Sequence, residues 1–239
     1  MQVLFHDDCL VAVNKPAGLL VHRSAIDRRE THFAMQLLRD QIGRRVYPLH
    51  RLDRPTSGVL LFALNVDVAR RMSEQFSRGG VDKTYLAVVR GYTDEAALID
   101  YPLRERHDPM TDARADSNKP AQPALTAYRR LATAELACRV GRYSRARYSL
   151  LEIKPHTGRK HQIRRHLKHI FHPVVGDTTH GDGKHNRLFR DRFACHCLLL
   201  AATRLELNHP RSGERLCIDA PLPDDFRRII DTLAWSGAA

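Results

Sequence analysis

The apolar residues of this chain come in short uninterrupted runs, each closed by turn-forming residues, and that spacing points to a sheet-centred fold. Residues 10–13 form one run, closed by Asn14-Lys15-Pro16-Ala17-Gly18, where proline fixes one backbone angle and glycine frees another. Residues 59–64 read as a buried strand, and 85–89, 125–128, 148–153, 198–207 and 215–218 as further strands. Helical spacing occurs at 34–42 through Met35, Leu38 and Ile42, and at 67–76 through Val68, Met72 and Phe76. It returns from Thr157 to His169 and again over 224–233, whereas 104–123 and 176–192 are polar and read as irregular surface segments.

Strands therefore outnumber helices and do not alternate with them. An α+β fold is expected, with a mixed, largely antiparallel sheet flanked by helices and loops, and not a doubly wound one. With no internal repeat and no linker-like segment, residues 1–239 are expected to form a single catalytic domain. The apolar runs are far shorter than the roughly 20 residues that span a bilayer, and the first residues lack a signal-peptide pattern. Five scattered cysteines, an odd number, argue against a disulfide framework and for reduced thiols, so a cytoplasmic location is expected. A formal charge of +12 and a pI near 9.9 favour a polyanionic partner or an anionic membrane surface.

Two segments carry candidate chemistry. In His50-Arg51-Leu52-Asp53-Arg54-Pro55-Thr56-Ser57-Gly58, directly before the run 59–64, a carboxylate is flanked by cations in what proline and glycine should hold as a loop. In Lys154-Pro155-His156-Thr157-Gly158-Arg159-Lys160-His161-Gln162-Ile163-Arg164-Arg165-His166, a helix would bury Ile163, Leu167 and Ile170 and set Arg164 at the edge of that stripe, partly buried. His161, Arg165 and Lys168 would gather on the far face, and no acidic residue occurs between Lys154 and Gly176, a charge pattern suited to phosphate contacts. Arg159, Lys160 and His161 would sit in the first helical turn against the helix dipole, a broken local rule that hints at function. Arg139, Arg142, Arg145 and Arg147, interleaved with Tyr143 and Tyr148, form a second basic patch with rings that stack on bases.

Other chemistries fit less well. His166, His169, His172 and Cys195-His196-Cys197 lack the spacing of common metal motifs, so no metal is expected. There is no phosphate-binding P-loop, no Gly-x-Ser-x-Gly elbow, no dinucleotide glycine fingerprint and no second Asp loop to match that of Asp53.

Taken together, the motif around Asp53, Asn14-Lys15-Pro16-Ala17-Gly18, Lys83-Thr84-Tyr85 and Thr157-Gly158-Arg159-Lys160-His161-Gln162-Ile163-Arg164 resemble, in order, those of the RluA-type pseudouridine synthases. The resemblance covers nearly the whole chain. It implies the pseudouridine synthase catalytic fold, no cofactor, and isomerisation of a uridine in RNA. Val21-His22-Arg23-Ser24, the residues around Asp53 and Gly176-Asp177-Thr178-Thr179-His180-Gly181-Asp182 look like the branch that acts on uridine 65 of some tRNAs. Sister branches act on ribosomal RNA or other tRNA positions. A non-enzymatic RNA-binding protein and a metal-dependent nuclease are the readings from other classes.

By that resemblance Asp53 attacks the ribose or assists departure of the base, Arg164 pairs with it, and Tyr85 stacks on the base and accepts a proton from C5. Arg51 is expected to fill the space left by the everted nucleotide, and a Leu at 199 or 200 to pack beneath it. Arg54, Arg159, Lys160, His161, Arg165 and Lys168 are expected to contact RNA. One departure is Ala201-Ala202, where the family commonly has His and then Ala. The branch also lacks the N-terminal RNA-binding module of some relatives, and this chain is expected to lack it too.

Overall fold

A computed structural model of the chain describes residues 1–22, 31–104 and 120–238. In chain order the elements are β1 (Gln2–His6), β2 (Leu10–Lys15), α1 (Ala34–Ile42), β3 (Tyr47–Pro48), β4 (Ser57–Ala63), α2 (Val66–Ser77), β5 (Asp82–Arg90) and β6 (Ala96–Asp100). They continue with β7 (Leu125–Leu136), β8 (Ala146–Pro155), α3 (Gln162–His169), α4 (Gly183–Phe193), β9 (Leu200–Asn208), β10 (Arg215–Asp219) and α5 (Asp224–Thr232). Arg23 and Ser24 of the expected branch motif, and most of the polar stretch 104–123, lie outside the described residues.

One ten-stranded sheet runs in the order β1-β2-β4-β9-β5-β8-β7-β6, with β3 on β4 and β10 on β9. Its central strands are buried on both sides, because alternate residues feed two cores. Val11, Leu60, Tyr85, Ile153 and Leu200 face α1 and α3. Leu61 faces α2, while Leu86, Leu150 and Leu199 face α4 and α5. The expected α+β class with a largely antiparallel sheet is what forms. Among the described residues no helix is long and apolar enough to cross a membrane.

The parallel pair β4·β9 decides where the chemistry can sit. Ser57 lies opposite Ala201 and Gly58 opposite Ala202, so the loop 50–56 emerges beside the cleft-facing residues of β5 and β9. The contact is very close. A Cβ at position 58 would lie 2.0 Å from the Ala202 carbonyl oxygen, and φ there is +111°, a region that only glycine enters readily. Ala201 and Ala202 are themselves buried, so the residues at the departure from the family pattern serve the core here.

Several elements differ from the expectations. β1, β3 and β6 were not expected; they are short, each pairs with one neighbour, and they lack a clear alternating pattern. Residues 183–193, expected to be irregular, form α4, whose start is set by the Asp182 carboxylate accepting from the backbone N–H groups of Lys184 and His185. That capping signal outweighs a weak apolar stripe. The helix expected from Thr157 begins instead at Gln162, since His161 adopts a left-handed conformation (φ 55°). Arg159, Lys160 and His161 therefore precede the helix and do not oppose its dipole within the first turn. Tyr148, read as a ring for stacking on bases, is fully buried against Phe189 and His185.

Gly58→Ala is expected to destabilise the fold by more than about 3 kcal/mol, since it combines backbone strain with an unrelievable backbone clash. Urea unfolding of the purified variant measures this.

Candidate active site

The Asp53 loop is fixed by the turn that follows β2. Lys15 is fully buried at the end of that strand, and its Nζ donates to the carbonyls of Pro16 (2.9 Å), Leu19 (2.8 Å) and Arg54 (3.2 Å). Gly18 N–H also donates to Arg54 O at 2.8 Å, and Arg54 Nε returns a bond to Gly18 O. Burial lowers the Lys15 pKa to about 7, with Asp53 pulling the other way. The Asn-Lys-Pro-Ala-Gly string thus supplies a cationic peg whose carbonyl partners include the residue after Asp53.

Asp53 opens into a cleft of about 720 Å³ lined also by Arg51, Tyr85, Arg159, His161, Arg164 and Leu200. Asp53 is the one carboxylate among its described lining residues, against Arg51, Lys83, Arg159 and Arg164. The potential there is positive around a single anion.

Arg164 is the centre of the site. It is 3% exposed, and its Nη1 donates to Asp53 Oδ2 at 3.0 Å. Its other edge is held by Asp177, with Nε to Oδ2 at 2.7 Å and Nη2 to Oδ1 at 2.8 Å. Burial disfavours the Arg164 charge, but Asp177 and Asp53 outweigh it and raise its pKa. Burial alone would push Asp177 up; Arg164 and the N–H groups of His180 and Thr179 instead hold its carboxyl below the ordinary range. The guanidinium therefore stays charged and fixed in one orientation.

His161 faces the same carboxylate, Nε2 to Asp53 Oδ1 at 3.9 Å, and its Nδ1 shares a hydrogen bond of 3.0 Å with His180 Nε2. Burial lowers its pKa despite Asp53, so the ring is neutral at pH 7. It was expected among the cations on the far face of α3, and it sits inside the cleft instead. The Gln162 carboxamide winds the preceding turn around itself. Its oxygen accepts from Thr157 Oγ1 (2.7 Å) and Arg159 N (3.0 Å), while its nitrogen donates to Leu125 O and Thr126 Oγ1.

Tyr85 is 9% exposed and projects from β5 into the cleft. Burial, then Asp53, raises its pKa well above the usual phenol value. A phenol held protonated suits stacking and hydrogen-bond donation. His50 accepts from Leu61 N–H at 3.1 Å and stacks on Phe76, and burial beside Lys83 lowers its pKa to about 4. It is a neutral structural acceptor. Of the two leucines expected near the base, Leu200 lines the cleft and Leu199 faces the opposite core.

Asp53, Tyr85, Arg164, Arg51, Arg159 and His161 thus converge on one cleft. Arg54, Lys160, Arg165 and Lys168 lie outside its lining; Arg54 and Lys160 are exposed on the approach, and Lys168 is exposed on α3. Asp177, Lys15, Gln162 and His180 were quoted in motifs but given no role. The lone Asp177 carboxylate after a long basic stretch was the available signal for a partner to Arg164.

The histidines considered as metal ligands are each used separately. His166 Nε2 donates to Tyr101 O, His169 stacks on Tyr101, and His172 Nδ1 meets Arg90 O. Among the described residues, Asp7, Cys9 and His209 do bring three donor atoms together. His209 Nδ1, however, accepts from Ser212 N–H, so Nε2 keeps its proton and faces Asp7 at 2.8 Å. That tautomer makes an ion-pair-like clasp, not a ligand set.

The cleft sets an arginine-clamped aspartate among cations and a tyrosine, an arrangement suited to carboxylate chemistry on a polyanionic substrate. Residues 9–169 match the family described as RNA pseudouridylate synthase, and the chain belongs to that family. It is therefore an isomerase that converts uridine to pseudouridine. Among its relatives, tRNA pseudouridine synthase C of Vibrio cholerae is 51% identical over 98% of this chain and 96% of its own. The Yersinia pestis protein of the same name is 51% identical over 100% and 93%. Of solved structures, human RNA pseudouridylate synthase domain containing 1 superposes with a TM-score of 0.70 at 27% identity, covering 93% of this chain and 83% of that one. The human domain-containing 4 protein does so at 0.70 and 26%, covering 98% and 93%.

Asp177→Asn is expected to lower the unfolding free energy by about 3 kcal/mol, because it leaves a buried guanidinium under-compensated. The carboxylate's contribution is present above the unfolded carboxyl pKa and is lost as pH falls through the depressed folded value. Wild type should thus lose stability below about pH 4 more steeply than the variant, as read by urea midpoints across pH.

Proposed function

We propose that this chain isomerises a uridine of tRNA, uridine 65 in the T-stem region, with Asp53 as the catalytic carboxylate. The observation that carries the reading is the 3.0 Å pair of Arg164 with Asp53 inside a cleft that has no other described carboxylate. The printed names of the relatives support tRNA as the substrate class, and the net charge of +12 suits a polyanion. The ten strands share one sheet, which supports reading the chain as one catalytic unit. A tRNA substrate also makes the cytoplasm the proposed location.

The reaction balances without redox or hydrolysis: the bond from ribose C1′ to N1 breaks, a bond from C1′ to C5 forms, and a proton passes from C5 to N1. The target first leaves its stack, at a cost of a few kcal/mol. Arg51, exposed at the cleft mouth, enters the vacated space. Asp53 then meets C1′ or assists the base as it departs, and Arg164, braced by Asp177, keeps one oxygen occupied so that the other faces the sugar. Tyr85 and Leu200 give the freed uracil an apolar face on which to turn. Arg159 binds a phosphate at the cleft wall, Arg54, Lys160, Arg165 and Lys168 bind phosphates outside it, and His161 lies at the carboxylate itself.

Incubation of the protein with tRNA transcripts tritiated at uridine C5, in EDTA, should release tritium without cutting the strand. Asp53→Asn should abolish release while the Kd for tRNA stays within about three-fold, since the phosphate contacts remain. Equal release by wild type and this variant refutes the assignment, and loss of release in EDTA alone favours a metal-dependent enzyme.

For Arg51→Ala, kcat should fall while the Kd for tRNA moves by less than about three-fold, because the energy lost belongs to base extrusion. A matched rise in Kd with unchanged kcat makes Arg51 a phosphate contact instead. Pseudouridine mapping in tRNA treated with the protein reads out position 65 directly.

A further inference from the structure

We propose that the end of the sheet farthest from the cleft, capped by the β7–β8 hairpin and the end of α3, is a second contact surface for the same RNA. The proposal rests on the cleft being the uridine site. Pro155, Ile153 and Leu151 of β8 point toward the cleft side of the sheet, and Arg147 keeps their parity, so it leaves the same face. From Pro155 to Arg147 the strand covers roughly 25 Å at about 3.3 Å per residue.

Helix α3, about 12 Å long, covers part of the interval. It starts at the cleft with Gln162, carries exposed Lys168, and ends where Arg90 Nη2 donates to Phe171 O at 3.1 Å and His172 Nδ1 meets Arg90 O at 2.8 Å. Phe171 is 79% exposed and left-handed (φ 64°); its N–H donates to Lys168 O at 3.0 Å and that of His172 to Leu167 O at 2.8 Å, so the turn that closes α3 holds a large apolar ring in solvent.

Beside it, a cavity of about 700 Å³ is lined by Arg90, Tyr92, Arg142, Tyr143, Arg147 and His185. The Arg147 guanidinium lies 5.2 Å over the Tyr92 ring and that of Arg142 5.0 Å over the Tyr143 ring, both rings being exposed. Arg145 and Arg147 share Glu135, and Arg90 pairs with Asp182. Arg139 and Arg142 donate to Gly141 O and Tyr143 OH and pair with no carboxylate among the described residues. Exposed rings alternating with flat cations, at a distance from the active carboxylate and with a basic helix over part of the interval, match stacked bases and phosphates. The spacing suits a structured RNA whose target stem fills the cleft while a neighbouring arm reaches this surface.

The test compares a full-length tRNA transcript with a short hairpin containing only the target stem and loop. Two variants are used: Arg142→Ala combined with Tyr143→Ala on the hairpin tip, and Phe171→Gly, which removes the ring and favours the existing backbone angle. Each should raise the Kd for full-length tRNA about five-fold or more, the scale of one lost stacked base. The hairpin Kd should change less than two-fold. For the Arg142 variant, the slope of log Kd against log salt should also become shallower, by about one phosphate contact.

Unchanged affinity for full-length tRNA overturns the proposal, and so does equal weakening for the hairpin. Loss of binding to phosphatidylglycerol vesicles with tRNA affinity intact overturns it in favour of a membrane surface. Tritium release from the hairpin by the wild-type protein is measured in parallel. Its failure strikes the cleft reading, separately from the fate of the second surface.

Discussion

A buried guanidinium cannot stand alone, and Arg164 is kept charged in the interior by a carboxylate on each side. Asp177 takes two of its N–H groups and is itself satisfied by the backbone N–H groups of Thr179 and His180. That leaves one face of the guanidinium for Asp53. The two carboxylates are therefore unequal: one is nearly inaccessible and orients the arginine, and the other is a quarter exposed and available to substrate. Because a buried ion pair contributes little net stability against its desolvation cost, its worth lies in fixing geometry.

Geometry also has to reach Asp53 from its own backbone. The loop that bears it is anchored by Lys15 at the residue that follows it and by the β4·β9 parallel pair just after it. Both anchors are demanding. One buries an ammonium whose pKa falls to about 7, and the other brings Gly58 into contact with the Ala202 carbonyl. Neither would be expected of a surface turn that merely connects two strands. Arg164 arrives from the other direction on α3, whose first turn is set by Gln162, so aspartate and arginine are positioned by independent supports.

Much of this was legible in the sequence because it is written in local terms. The run 59–64 with its preceding Asp53 loop, and the 3.6-residue stripe that puts Arg164 beside Ile163 and Leu167, need only neighbouring residues to be read. Edge strands such as β6 were missed since an exposed strand face carries no alternation to detect. Asp177 and His180 were missed for a different reason. They matter only because the chain returns to the cleft after α3, and the one signal, a first carboxylate after a long basic stretch, does not by itself separate an aspartate that meets a guanidinium from one that caps a turn. His161 illustrates the same limit, since one residue in a left-handed conformation moved it from an expected basic face to the carboxylate.

The distribution of titration behaviour then separates chemistry from binding. Three rings of the cleft lining are driven toward their neutral form: His50 and His161 by burial that lowers their pKa, and Tyr85 by burial that raises its own. Arg164 and Asp53 compensate each other, so the wall beside the carboxylate is close to neutral, while Arg51, Lys83 and Arg159 keep the rest of the lining positive. The exposed cations are Arg51 and Arg159 in the cleft lining, Lys160 just before α3 and Lys168 on it. On the proposed reading, an everted pyrimidine leaves a polyanionic backbone held by these cations and meets the compensated Arg164–Asp53 pair. On that reading, a strongly basic protein binds RNA widely and still presents one carboxylate to a single sugar.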